Sequence, residues 1–351
     1  MPRLIPPFSA AVLATGIVSS GGLARAQECS SWQPIQVASG SGSLAAAAWG
    51  NGEFWAFGNA AFASPTGSSW SDLGTGPSME LVRVRVLGGT FFAVGHYLYI
   101  STSPDGVNWT GRYGVEGGPP STALNDIAWD GSTYVAVGFR PTESMGAFGY
   151  PVILVTTNLV SWTSVLAPPS GLGREELDGI VWTGTRFVAV GRSGNDGVVY
   201  VSGDGGSWTR NVGPGGSEVA WNGHQLVALG GSVQPSGTWA PTIWRSADGL
   251  SWQSTSVDPN WSLAAVTWDG ARFVAVGGTT AYPPQAVIAT SSDGVTWGPN
   301  ETNVSENLVA VTSHFGTTVA VGLNGTVLTQ SCPGGEPRRV RRKLGTTRGG
   351  L

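Results

Sequence analysis

The chain has 351 residues, 54 of them glycine and 16 tryptophan, with two cysteines and 11% charged residues. Helical periodicity is absent, so a helical architecture is excluded, and the composition fits an all-β domain with many turns. The formal charge of -4 conceals two regions: residues 27 to 332 carry 21 acids and 10 bases, every base an arginine, whereas six bases and one acid follow Pro333. The acidic body repels phosphate backbones, which argues against specific nucleic-acid binding.

At the start, "MPRLIPPFSAAVLATGIVSSGGLARAQ" has one early arginine, an apolar core from Phe8 to Val18 and Ala24-Arg25-Ala26 as a small-x-small cleavage site. This reads as a signal peptide over 1–26, too short for a spanning helix. No later stretch is long and apolar enough to cross a bilayer, so the expected product is a monomeric protein outside the cytoplasm, secreted or periplasmic. Next, "CSSWQPIQVA" (Cys29 to Ala38) reads as a last strand without a sheet of its own.

From there a unit recurs, clearest as "LAAVTWDGARFVAVG" (Leu263 to Gly277), with relatives from Leu124, Leu177 and Ser217. Apolar, β-branched runs separated by Gly-containing turns are strands, and their nearly continuous apolarity implies sheets covered on both faces. Each unit leads to S-x-D-G-x-x-W, seen at Ser103 to Trp109, Ser202 to Trp208, Ser246 to Trp252 and Ser291 to Trp297, with degenerate copies ending at Trp70 and Trp162. Ser and Asp oxygens accept backbone N–H groups and Gly tolerates positive φ, so the motif closes a turn, and its Trp opens a fourth strand. A reacting site needs one unique arrangement, so Asp105, Asp204, Asp248 and Asp293 are read as structural rather than catalytic.

First strands begin near Leu44, Leu81, Leu124, Leu177, Ser217, Leu263 and Leu308. A spacing of about 40 to 50 residues is that of four-stranded propeller blades, which gives a seven-bladed β-propeller over residues 27–334. The seventh unit runs out where its Trp should stand, and "CSSW" supplies the missing strand. Aligning "SCPG" on S-x-D-G and "CSSW" on G-x-x-W places Cys332 and Cys29 on opposite sides of one turn, as a disulfide that locks the ring; the alternative is two unpaired thiols. Residues 335–351, "EPRRVRRKLGTTRGGL" with the glycine before it, form a basic tail, either solvated and without a role or a tether to an acidic surface, to nucleic acid or to the propeller itself.

The S-x-D-G-x-x-W turns resemble the Asp-box, or BNR, repeats of the sialidase-type propeller superfamily over about residues 29 to 334, and the "FVAVG" and "DGxxW" units are also similar to photosystem-assembly propellers. The resemblance implies the fold; it implies no single activity, because the superfamily holds hydrolases and pure binders. Sialidases use an arginine cluster, the first in an F/Y-R-I-P motif. Here "FRPT" (Phe139 to Thr142) lacks the Ile and falls in a third-blade loop.

For a glycoside hydrolase the candidate carboxylates are Asp126, Asp178 and Glu218 at the starts of inner strands, with Arg83 and Arg85 beside them. Blades one, six and seven hold Ala45, Ala264 and Val309 there. The alternative is that these groups line a wet channel. His96, His224 and His314 sit in different blades without ligand spacing, so no metal site is expected, nor any cofactor. Long loops in blades three, five and six and the links between blades gather Tyr113, Phe148, Tyr150, Trp239, Trp261 and Tyr282 on one face, with Arg112, Arg140 and Arg174. The expected function is a binding or interaction module for a carbohydrate or an extracellular protein on that face, with a glycosidase as the alternative.

Overall fold

The computed structural model describes residues 29–37, 42–77, 81–114, 122–142, 149–166, 173–233, 239–300 and 302–332. The expected signal peptide over 1–26, the expected basic tail over 335–351 and Phe148 lie outside the described residues. Seven four-stranded antiparallel sheets follow one another as meanders. The inner strands of blades one to seven are Leu44–Gly50, Leu81–Leu87, Ala123–Trp129, Glu175–Trp182, Gly216–Trp221, Trp261–Trp268 and Leu308–His314. Blade seven pairs Thr326–Ser331 with Gln33–Gln36, so the N-terminal strand closes the ring. Cys29 and Cys332 form a disulfide across 303 residues at this junction, which implies an oxidising compartment. Among the described residues the cysteines are both consumed.

The core is divided among the blade interfaces rather than gathered at one centre. The buried apolar clusters each join two neighbouring sheets, as Trp55, Phe57 and Ala61 of blade one meet Val84, Phe91 and Ala93 of blade two. The closing interface has the same construction, with Leu44, Phe54 and Phe62 against Val319, Val321 and Val327. Strands covered on both faces explain the unbroken apolar runs. In each inner strand the register shifts after its first residues, as between Leu124 and Asp126, and the bulge explains one repeated glycine. A Cβ at Gly138 would lie 2.0 Å from the Ala123 carbonyl oxygen, so "VAVG" ends in Gly where the bulged neighbour presses in.

The Asp-box turns are built as capped loops. In blade six the Asp293 carboxylate accepts from the N–H groups of Val295 and Thr296 at 2.8 Å each and from the Ser291 hydroxyl at 2.9 Å, and the Trp297 indole donates to the Gly294 carbonyl. The same bonds recur at Asp105, Asp204 and Asp248. Blade three keeps the cap with Asn158 in the aspartate's place. Leu159 there takes the glycine's positive φ of 60°, and the buried Trp162 N–H has no partner.

Candidate functional site

Antiparallel meanders fix which groups share an end of the channel. An inner strand starts at the face that carries the second-to-third loops and the links between blades, and finishes at the face of the Asp-box turns. Charged residues occupy the first or middle positions of the inner strands in blades two to five, and tryptophans end those of blades three, four, five and six, with Trp49 one residue before the end in blade one.

In the middle of the channel the candidates Arg83, Asp126 and Glu218 come together with Arg85. Arg85 Nε and Nη2 donate to the two Asp126 oxygens at 2.8 Å each, and Nη2 also donates to Glu218 Oε1 at 2.7 Å. Arg83 Nη1 donates to Glu218 Oε2, and its Nε donates to the Asn125 carbonyl at 3.0 Å. Blades two and five lie across the ring from each other, so these bonds span the channel and close it with a plug of two guanidiniums and two carboxylates. Asp126 and Glu218 are 0% and 2% exposed. Burial alone would raise the Asp126 pKa, but Arg85 and Arg83, together with the Ile180 N–H, hold it below the ordinary carboxylate value. Burial opposes the charge of Arg85 as well, and Asp126 and Glu218 reverse that and raise its pKa.

The third carboxylate, Asp178, stands apart from the plug toward the loop face. It accepts from Arg192 Nε at 3.3 Å and from the Asn125 side chain at 3.4 Å. Burial first, and then the charge of Glu176, push its pKa up to about 7 against the opposing pull of Arg192 and, from the plug, of Arg83. Glu176 receives hydrogen bonds from both Arg174 and Arg192. Glu176 and Arg192 were not among the residues singled out from sequence; they belong to "REELDG" and "VGRSG", where the repeat is interrupted by charge. Beside them a cleft of about 310 Å³ runs between blades four, five and six, lined by Arg192, Ser217, Trp261, Ser262 and Thr280 among others.

The other loop-face candidates spread out. Arg140 and Tyr150 are cross-strand partners in blade three, Tyr150 is exposed, and Tyr282 is 96% exposed. The backbone of Trp239 pairs with Val233; its side chain lies outside the described residues. Among the described side chains of these aromatics, Trp261 lines the cleft. Arg174 lies over the Phe139 ring, 4.1 Å from its centroid.

Beyond the plug, at the Asp-box end, the channel opens into a second cavity of about 410 Å³. Its walls include Trp129, Trp182, Trp221 and Trp268, and Arg85 lines it with a side chain 31% exposed. On the blade-seven side His314 stacks on Trp49 at 3.9 Å and meets the Phe315 ring at a tilt, and burial lowers its pKa. The signal for this collar was present as the Trp that closes each "xxxW" inner strand, but a residue repeated in most blades reads as scaffold.

No protein-family model and no curated protein matches the chain, so the Asp-box resemblance rests on the turn motifs. Solved structures do match. A catalytically inactive virginiamycin B lyase from Staphylococcus aureus with quinupristin is 11% identical, with 86% of this chain and 98% of that chain covered and a TM-score of 0.60. The WD40 β-propeller domain of Doa1 is 9% identical, over 86% of this chain and 97% of its own, with a TM-score of 0.57. YCF48 bound to the D1 peptide is 15% identical over 86% and 96%, with a TM-score of 0.37, too low to carry an argument. At such identities the likeness is one of architecture: this chain is similar in fold to β-propellers of differing function.

Proposed function

We propose that the protein is an exported, non-catalytic binding module that holds a carbohydrate on the loop face, over the cleft between blades four and six. The observation that carries this reading is the plug. A hydrolase needs two carboxylates free to exchange protons with, or attack, a substrate lying between them, and Asp126 and Glu218 are both consumed by arginines that span the channel. The cleft supplies what a sugar requires. Ser217, Ser262 and Thr280 offer hydroxyls that donate and accept, Arg192 donates, and the part-buried Trp261 offers an apolar face. The leader over 1–26, cleaved after Ala26, is the route to the oxidising compartment that the disulfide implies.

One observation favours a second reading, a glycoside hydrolase: Asp178, with a pKa of about 7, has the protonation behaviour of a general acid. A glycan and peptide array coupled to hydrolysis assays on every hit separates the two. Binding of a glycan without turnover, weakened in Trp261→Ala, supports the module. Turnover that disappears in Asp178→Asn overturns it, and hits confined to peptides overturn the carbohydrate.

A further inference from the structure

We propose a second binding site at the opposite end of the channel, in the tryptophan-walled cavity, for a neutral apolar molecule or side chain carrying a carbonyl acceptor. Four indoles enclose it, and none of their N–H groups has a hydrogen-bond partner among the described residues. The Asp-box tryptophans differ: Trp109, Trp208, Trp252 and Trp297 each donate to the glycine carbonyl of their own turn. Arg85 behaves similarly to the collar indoles at one atom. Its Nε and Nη2 are committed to Asp126 and Glu218, whereas Nη1 has no partner among the described residues. Apart from the Thr267 hydroxyl, every polar side chain lining the cavity is therefore a donor only.

Side-chain donors almost without side-chain acceptors bias the ligand's polar chemistry, although the free edges of the inner strands add backbone N–H and C=O groups to the wall. A sugar brings several hydroxyl hydrogens for which the side chains, Thr267 apart, offer no acceptor, so only backbone carbonyls on the strand edges could take them, and each group left unmatched costs its hydration. A carboxylate would match the donors but meets an unfavourable charge. The plug is already balanced, two guanidiniums against two carboxylates, so an anion becomes a third negative group on it. Asp130 follows Trp129 directly in sequence and stands next to the collar, whereas Asp269 after Trp268 is paired with Arg272 at 2.9 Å, and the whole body is acidic. His314, its pKa lowered by burial, adds no cation at neutral pH. A carbonyl oxygen on an apolar or aromatic body satisfies donors and indole faces without adding charge, and about 410 Å³ lies within the usual range for such pockets, roughly 300 to 1,000 Å³.

The test titrates the full mature protein with N-acetylphenylalaninamide, its carboxylate analogue N-acetylphenylalanine, and cellobiose, followed by calorimetry and by tryptophan fluorescence. The neutral amide is expected to bind with a Kd on the order of 1 mM or lower, the carboxylate at least about tenfold more weakly. Trp129→Ala and Trp268→Ala should each weaken the amide about tenfold while Trp261→Ala, in the loop-face cleft, leaves it unchanged. Because removing an indole can loosen the ring, Thr267→Phe serves as a second kind of variant: it fills the cavity, removes no wall and must also abolish binding, with the melting temperature recorded for each protein. No binding of the amide at 10 mM, equal binding of the carboxylate, tighter binding of cellobiose, or loss in Trp261→Ala with none in the collar variants would each overturn the proposal.

Discussion

The two ends of the channel are built from the same strands yet present opposite chemistry. Among the described residues, at the loop-face end lie Asp178, Glu176, Arg174 and Arg192, hydroxyls and Trp261; at the Asp-box end lie indoles, aliphatic side chains, the Thr267 hydroxyl and the exposed edge of the Arg85 guanidinium. The difference teaches how a repeat scaffold divides its work. Position along the inner strand decides the chemical character, because the first residues of the strand vary from blade to blade while its last residue is Trp in most of them. The Arg–carboxylate plug separates the two ends, so a ligand at one is screened from the other.

Breaking the plug is the most direct way to break the comparison, and it has the largest expected effect. Arg85→Met leaves Asp126 buried and short of its main partner, and removing one member of a buried ion pair costs about 3 to 5 kcal/mol. Urea unfolding at pH 7 measures it. Replacing all four plug residues together, with Met for the arginines and Leu for the acids, should recover most of the loss. A cost below about 1 kcal/mol for the single variant would mean that the ends are not separated by a dehydrated plug.

A smaller effect tests the loop-face end by itself. If Trp261 is the energetic centre of the cleft, Trp261→Ala should weaken glycan binding by about 1 to 2 kcal/mol, since binding energy concentrates in a few aromatic positions. Tyr282→Ala should change little, because Tyr282 is almost wholly exposed and lines no part of the cleft. Equal losses would place the ligand on the outer loops instead.

Much of the architecture was legible, and the reason is physical. Alternating turn signals, apolar runs and the S-x-D-G-x-x-W caps are local, so they repeat visibly and fix strand number, blade number and the strand that closes the ring. The disulfide followed from the same alignment. The channel was legible only as a set of positions: Asp126, Glu218 and Arg83 could be assigned to inner strands, but that Arg83 and Arg85 reach across to Glu218 depends on ring closure, a contact over more than a hundred residues. The reading of three equivalent carboxylates also missed their division. Two are neutralised in the plug, and Asp178 keeps company with Glu176, which no spacing rule had marked. Loop aromatics were grouped by face, yet among their described side chains only Trp261 meets the cleft, because where a loop leaves the ring does not fix where its side chain points.

The character of Asp178 sharpens the comparison through pH. Its folded pKa of about 7 lies above the unfolded value near 3.9, so the native state holds the extra proton between them. The group therefore favours the folded state at low pH, and stability falls as pH rises from about 4 to about 7. Asp178→Asn, which keeps the shape and never ionises, should flatten that decline and be more stable at pH 8 by at least about 1 kcal/mol. Thermal melts from pH 4 to pH 8 show the outcome. A variant with the wild-type pH profile would mean that Asp178 is hydrated and ionised, and would remove the support for an acid at this end.

The smallest effect belongs to the rim, where the comparison predicts that nothing happens to either end. Asp293 is held down to a pKa of about 2 by the N–H groups of Thr296 and Val295 and by the Ser291 hydroxyl. Its sign is opposite to that of Asp178: the stability it contributes is present above the unfolded pKa and is lost as pH falls through about 2. Asp293→Ala should therefore lower the melting temperature slightly at pH 7, and the gap from wild type should narrow between pH 4 and pH 2. Glycan binding at the cleft and amide binding at the tryptophan cavity should both persist, since the cap serves its own turn and seats Trp297 rather than reaching the channel. Loss of either binding with an unchanged melting temperature would give the Asp-box aspartates a functional role, and the turn would no longer be scaffold alone.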